Sequence, residues 1–114
     1  MAKIQYNHTA ILDKAIAQSF IREYFDSKHS SELAQKHIDI FLSELDHQLD
    51  LIEGNPELYP IRKDFYYGET KMPVRSFSCH WFIVFYTYEK ENDLITIWFI
   101  RSSKSDYSNI INLF

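Results

Sequence analysis

The chain has one cysteine, two glycines and three prolines in 114 residues. A lone Cys79 cannot close an internal disulfide, so no covalent staple supports the fold and nothing marks an oxidising compartment. So little glycine and proline leaves small scope for flexible linkers, and no repeat or low-complexity tract is visible. Long apolar runs are missing as well. The longest, WFIVFY, falls far short of the roughly 20 residues that a membrane-spanning helix needs. The opening MAKIQYNHTA lacks the apolar core of a secretory leader, which points to a cytoplasmic protein without a membrane segment. Basic charge is scarce: 12 Lys and Arg stand against 16 Asp and Glu, a net of −4. That excludes a surface whose bulk charge steers the protein to phosphate, so any nucleic-acid contact must be local. Glycine-rich phosphate loops, GxSxG elbows and Walker patterns are absent, and nucleotide or serine hydrolysis has no support.

What the chain does have is aromatic and apolar bulk. Aromatic residues make up 17% and all hydrophobic residues 46% of the sequence, enough to offset the entropy of ordering one domain over residues 1–114. KIQY at 3–6 alternates like a short strand, and Asn7, His8 and Thr9 then offer capping oxygens. Leu12, Ile16, Phe20 and Tyr24 recur at intervals of four, which predicts a helix from Ala10 to Phe25 with that stripe, widened by Ile21 and Phe25, as its apolar face. DSKHSS interrupts the pattern. Ser30 or Ser31 caps a second helix whose stripe is Leu33, Ile38, Phe41, Leu45, Leu49 and Ile52, with Gly54 as the residue that ends it.

Past NPELYP the period shifts to two, predicting strands at about 61–67, 73–78, 81–89 and 94–101, with KEND turning the last hairpin. Both alternating sets of 81–89 are apolar, Trp81, Ile83 and Phe85 against Phe82, Val84 and Tyr86, as in a central strand. One face of the sheet should carry the helical hairpin. The other should be covered by the C-terminal residues Ile110, Ile111, Leu113 and Phe114. The expected fold is therefore α+β: a short N-terminal strand, a helical hairpin, then an antiparallel sheet of about four strands.

This order resembles the RelE/ParE family of toxins from bacterial type II toxin–antitoxin pairs. The residues that carry the resemblance are IQYNHTAILDKAIAQSFIREYF, the break at GNPELYP, Arg75 seven residues ahead of FIVFY, and the closing LITIWFIRSSKSDY. The resemblance implies a growth-arresting toxin bound by a cognate antitoxin and acting either as a ribosome-dependent mRNA endonuclease or as an inhibitor of DNA gyrase, with no cofactor. The alternative is a non-toxic relative that serves only in an antitoxin-bound repressor complex. FIVFY departs from the RNA-cutting members by placing Ile83 where they often carry an arginine, which weakens the ribonuclease side, and the spacing of Arg75 to FIVFY resembles the gyrase-binding side more closely.

Cutting RNA requires a base for the 2′-hydroxyl, cations for the phosphorane charge and an acid for the leaving oxygen. Arg75 and Arg101 are the candidate phosphate clamps, His80 the candidate base and Tyr107 the candidate acid or stacking ring. Lys104, Trp98 and Tyr88 are candidates for binding RNA or another target, Lys104 by charge and the two rings by stacking. The plainer role for each is structural: solvated arginines at strand ends, a half-buried histidine beside Trp81, and aromatics that are core. His37 and His47, ten positions apart on the second helix, make no metal-ligand spacing. Cys79 and His80 point to opposite faces of a strand and cannot pair, so Cys79 reads as a buried structural thiol.

Overall fold

The computed structural model describes residues 1–26, 30–67 and 72–103, with the side chains of 64–67 left aside. It is an α+β architecture of β1 (Lys3–Tyr6), α1 (His8–Asp26), α2 (Ser31–Gly54), β2 (Ile61–Tyr67), β3 (Met72–Cys79), β4 (Phe82–Glu89) and β5 (Leu94–Ser102). The five strands form one sheet in the order β1-β5-β4-β3-β2. β2 through β5 run as an antiparallel meander, as their period-two pattern predicts. The N-terminal strand, expected only as a prelude to an antiparallel sheet, instead joins it: β1 lies parallel to β5, Lys3 opposite Leu94 and Tyr6 opposite Ile97, which makes the sheet mixed. Parallel pairing requires a long return path, and here the whole α1–α2–β2–β3–β4 run supplies it.

Local chemistry explains the boundaries. The Asn7 side chain accepts from the Thr9 N–H at 2.9 Å and opens α1, and Ser30 Oγ accepts from the Leu33 N–H at 3.1 Å and opens α2. Gly54 is still helical. The end of α2 is held by the Asn55 N–H donating to Leu51 O, so the expected glycine stop is corrected by one residue. The last hairpin turns through Lys90–Asn92 and a left-handed Asp93, φ 51°, a conformation Asp tolerates better than most residues.

Packing corrects the expected face of α1. Its buried residues are Ala10, Asp13, Ala17 and Ile21, whereas Leu12, Ile16, Phe20 and Tyr24 are exposed. The buried stripe lies one residue along, a rotation of about 100°. Small side chains at Ala10 and Ala17 let the helix sit close on a sheet whose facing residues, Phe82, Val84, Ile97 and Ile100, are already bulky. On α2, Ile38, Phe41, Leu45 and Ile52 are buried as expected and Leu49 is half-buried, while Leu33 is exposed and Ala34 is buried in its place. The face of β4 toward the helices is Phe82, Val84 and Tyr86. Ile83 and Phe85 belong to a second apolar cluster with Val74, Phe99 and Trp98. Trp81 does not share the Ile83 face, because it sits in the β3–β4 turn and swings to the helical side. Ile110, Ile111, Leu113 and Phe114, expected to cover the opposite face, lie outside the described residues.

Candidate functional site

The β3–β4 connection is a two-residue turn, His80–Trp81, between the paired Cys79 and Phe82. His80 stands at φ 52°, a left-handed conformation that costs a non-glycine residue about 1 kcal/mol or more. Two sets of contacts hold it there. Its backbone N–H donates to Glu44 Oε2 on α2 at 2.6 Å. Its ring stacks on Trp81 at 5.0 Å and on His37 at 5.1 Å. His37 Nδ1 and His80 Nε2 are 2.9 Å apart, one donating and the other accepting according to tautomer. Phe25 stacks on His37 at 4.4 Å and on Trp81 at 5.5 Å, so α1, α2 and the turn meet in one column of rings.

Such a pair shares one proton comfortably and resists a second, because two N–H groups would then face each other. Burial lowers the affinity of His80 for a proton, neighbouring His37 lowers it further, and the Glu44 carboxylate opposes them. His80 is thereby biased to the neutral form that can accept a proton. Beside it, Phe20, Tyr24, Trp81, Ser102 and Ser103 line a cavity of about 330 Å³.

Arg101 stands at the same end of the sheet. It is opposite Ile83, and two residues on, the Ser103 N–H donates to Trp81 O at 2.9 Å. Its guanidinium lies 5.0 Å above the Phe99 ring, and its buried Nε faces Asp13 Oδ2 at 3.5 Å, an ion pair without a hydrogen bond. Asp13 has a second task. β1 pairs with β5 only as far as Ile97, and the Ile100 N–H beyond it is satisfied by Asp13 Oδ2 at 3.0 Å. Burial pushes the Asp13 carboxyl above its ordinary range, while the Ile100 N–H and Arg101 pull it back.

Arg75 is placed elsewhere. It pairs with Tyr86 in the middle of the sheet and donates to Tyr59 O at 2.5 Å, with Glu57 Oε2 at 3.5 Å as its ion partner. Its side chain is only 13% exposed. This geometry ties the segment after α2 to the sheet and keeps the guanidinium away from His80. Of the four residues expected to share a catalytic role, His80 and Arg101 occupy one end, Arg75 does not, and Tyr107 lies outside the described residues, as does Lys104.

The two expected stacking rings do not form a platform. Tyr88 donates its hydroxyl to Asp93 Oδ1 at 2.7 Å across the last hairpin. Trp98 Nε1 donates to Thr87 Oγ1 at 2.8 Å and packs with the second cluster. Cys79 is buried with its Sγ 3.5 Å from Phe41 O, and burial pushes its thiol up to about 12. The site residues that sequence reasoning passed over are His37, Glu44 and Asp13. Only Asp13 left a trace in the pattern, as a carboxylate inside an apolar helical segment. Among the described residues, no group of three or more His, Cys, Asp or Glu is placed to hold a metal ion, and no helix is long and apolar enough to cross a membrane.

No family model matches the chain, and no curated protein matches its sequence.

Proposed function

We propose that the chain is a toxin of the RelE/ParE type that arrests bacterial growth by binding its target, with DNA gyrase as that target and a cognate antitoxin as its neutraliser. The order of elements supports the family reading: a first strand, a helical hairpin laid on one face, and a meander whose last strand returns beside the first. The observation that carries binding over cutting is the commitment of both arginines to the fold. A phosphoryl-transfer site requires free cations aimed at the developing charge. Arg75 is bound to Tyr59 and Glu57, and Arg101 to Asp13 and the face of Phe99.

One observation favours a second reading, a ribosome-dependent endoribonuclease. The hydrogen-bonded His37–His80 pair stacks on Trp81, which lines the aromatic cavity, and neutral His80 is the form that would take a proton from a 2′-hydroxyl. Two assays on the purified full chain separate the readings: supercoiling by gyrase, and primer extension on messenger RNA in a cell-free translation reaction. Binding predicts blocked supercoiling with intact RNA. Ribosome-dependent cuts lost in His80→Asn, with supercoiling untouched, would establish the second reading instead. Unimpaired translation and unimpaired supercoiling would leave the non-toxic, antitoxin-bound role.

A further inference from the structure

The contact between His37 and His80 is shaped for more than a proton. The two nitrogens are 2.9 Å apart and the ring centroids 5.1 Å, so the difference is that of two ring radii and the nitrogens meet nearly end-on. His37 is carried by α2 and His80 by the left-handed turn, and both rings are half-buried, within reach of solvent. Trp81 closes one side. Its ring is inclined by 13° to His80 and by 28° to His37, with centroids 5.0 and 5.4 Å away. The three rings thus form a near-equilateral triangle, and the midpoint of the imidazole pair falls within the roughly 6 Å over which an aromatic face attracts a cation. Phe25, stacked on His37 at 4.4 Å, adds a second aromatic wall.

We infer that this pair is a two-coordinate site for a monovalent ion of the copper group, cuprous copper above all, held between His37 Nδ1 and His80 Nε2 beside the face of Trp81. This inference does not depend on the toxin reading. Geometry selects the ion. A protein zinc site is built from three or four protein ligands, and among the described residues no third His, Cys, Asp or Glu joins the pair. The Glu44 carboxylate is engaged by the His80 backbone N–H. Two opposed imidazole lone pairs instead match the linear coordination of a filled-shell monovalent ion, and imidazole is a good ligand for copper. With metal–nitrogen bonds of about 2 Å the nitrogens must move roughly 1 Å further apart than in the hydrogen bond, which small rotations of two half-buried side chains supply. Each ring keeps one N–H, so the proton now lying between them passes to His37 Nε2 or His80 Nδ1 and the neutral pair releases none. Bound there, the ion ties α2 to the β3–β4 turn. It also takes the lone pair with which neutral His80 would accept a proton, so metal binding and acid–base action at this pair exclude each other.

Silver(I), which shares this coordination preference and needs no reductant, is the probe. Cys79 is the competing soft ligand, so the titration uses the full chain carrying Cys79→Ala together with Trp98→Phe, which leaves Trp81 as its one tryptophan. Silver should quench Trp81 fluorescence saturably at one ion per chain. Adding His37→Phe, which keeps a ring in the column, or His80→Asn, which tolerates the left-handed backbone, should weaken binding by about tenfold or more, with folding verified by circular dichroism. Zinc in equal amount should not displace the silver. Nitrogen-15 spectra of the unaltered chain, which need no variant to fold, should show His37 Nδ1 and His80 Nε2 as the imidazole nitrogens that silver shifts. No saturable quench, undiminished binding in either folded variant, or shifts confined to other histidines would overturn the inference. Displacement by zinc would overturn the two-coordinate assignment.

Discussion

At the scale of single residues, the described positions divide into those that hold the fold and those that remain available for chemistry, and titration distinguishes them. His80 is held in its neutral form by burial and by His37. Its contribution to stability is therefore present above its ordinary value of 6.5 and is lost as pH falls below 6.5 through the folded value. The denaturation midpoint should drop as pH is lowered through that window, and His80→Asn, which tolerates the left-handed backbone, should flatten the profile. Asp13 has the opposite sign. Its raised value means that the folded chain holds this proton more tightly than the unfolded one, so that contribution is present below the ordinary 3.8 and lost as pH rises through the folded value. Cys79 is fully buried, with its thiol pushed up to about 12, and should resist a thiol reagent at neutral pH until denaturant unfolds the chain. Rapid labelling of the native protein would contradict that placement.

At the scale of elements, the part of β5 beyond Ile97, unpaired by β1 and covered by Asp13 of α1, carries the sharpest consequence. Asp13→Ala removes the acceptor of the Ile100 N–H and the partner of Arg101 together, and should cost about 3 kcal/mol in urea unfolding. Arg101→Ala should be costly for the complementary reason, since it leaves a buried carboxylate unpaired. Loss of toxicity in that variant alone would therefore say nothing about chemistry. The paired change Asp13→Asn with Arg101→Gln keeps an acceptor for Ile100 and should recover most of the stability of either single change.

Arg101 was legible in the sequence as a cation at a strand end. Its pairing with Asp13 was not, because the two residues are 88 positions apart. Periodicity found both helices and all five strands to within a residue or two, since each follows its own apolar repeat. On α1 it placed Ile21 and Phe25 correctly but centred the face on Leu12, Ile16, Phe20 and Tyr24, because it ranks positions by hydrophobicity, whereas close approach to a bulky sheet favoured Ala10 and Ala17. The parallel pairing of β1 was hidden for a related reason: KIQY carries the strand signal but no information about which edge it joins. The His37–His80 pair spans 43 residues and depends on a two-residue turn meeting the N-terminal third of α2, a relation no local pattern encodes.

At the scale of the whole molecule, one end combines an imidazole pair, a left-handed turn and a cavity lined by rings, while the arginines that could have made it a phosphate-cutting centre are held by the fold. This contrast is why binding is the better account of the proposed growth arrest. The most direct test of the central claim is the viable count of bacteria after induction of the full chain, with soluble, folded protein verified in the same cells. The account predicts a fall in viable count that co-expression of a neighbouring antitoxin reverses. Undiminished growth at high levels of folded protein would contradict it.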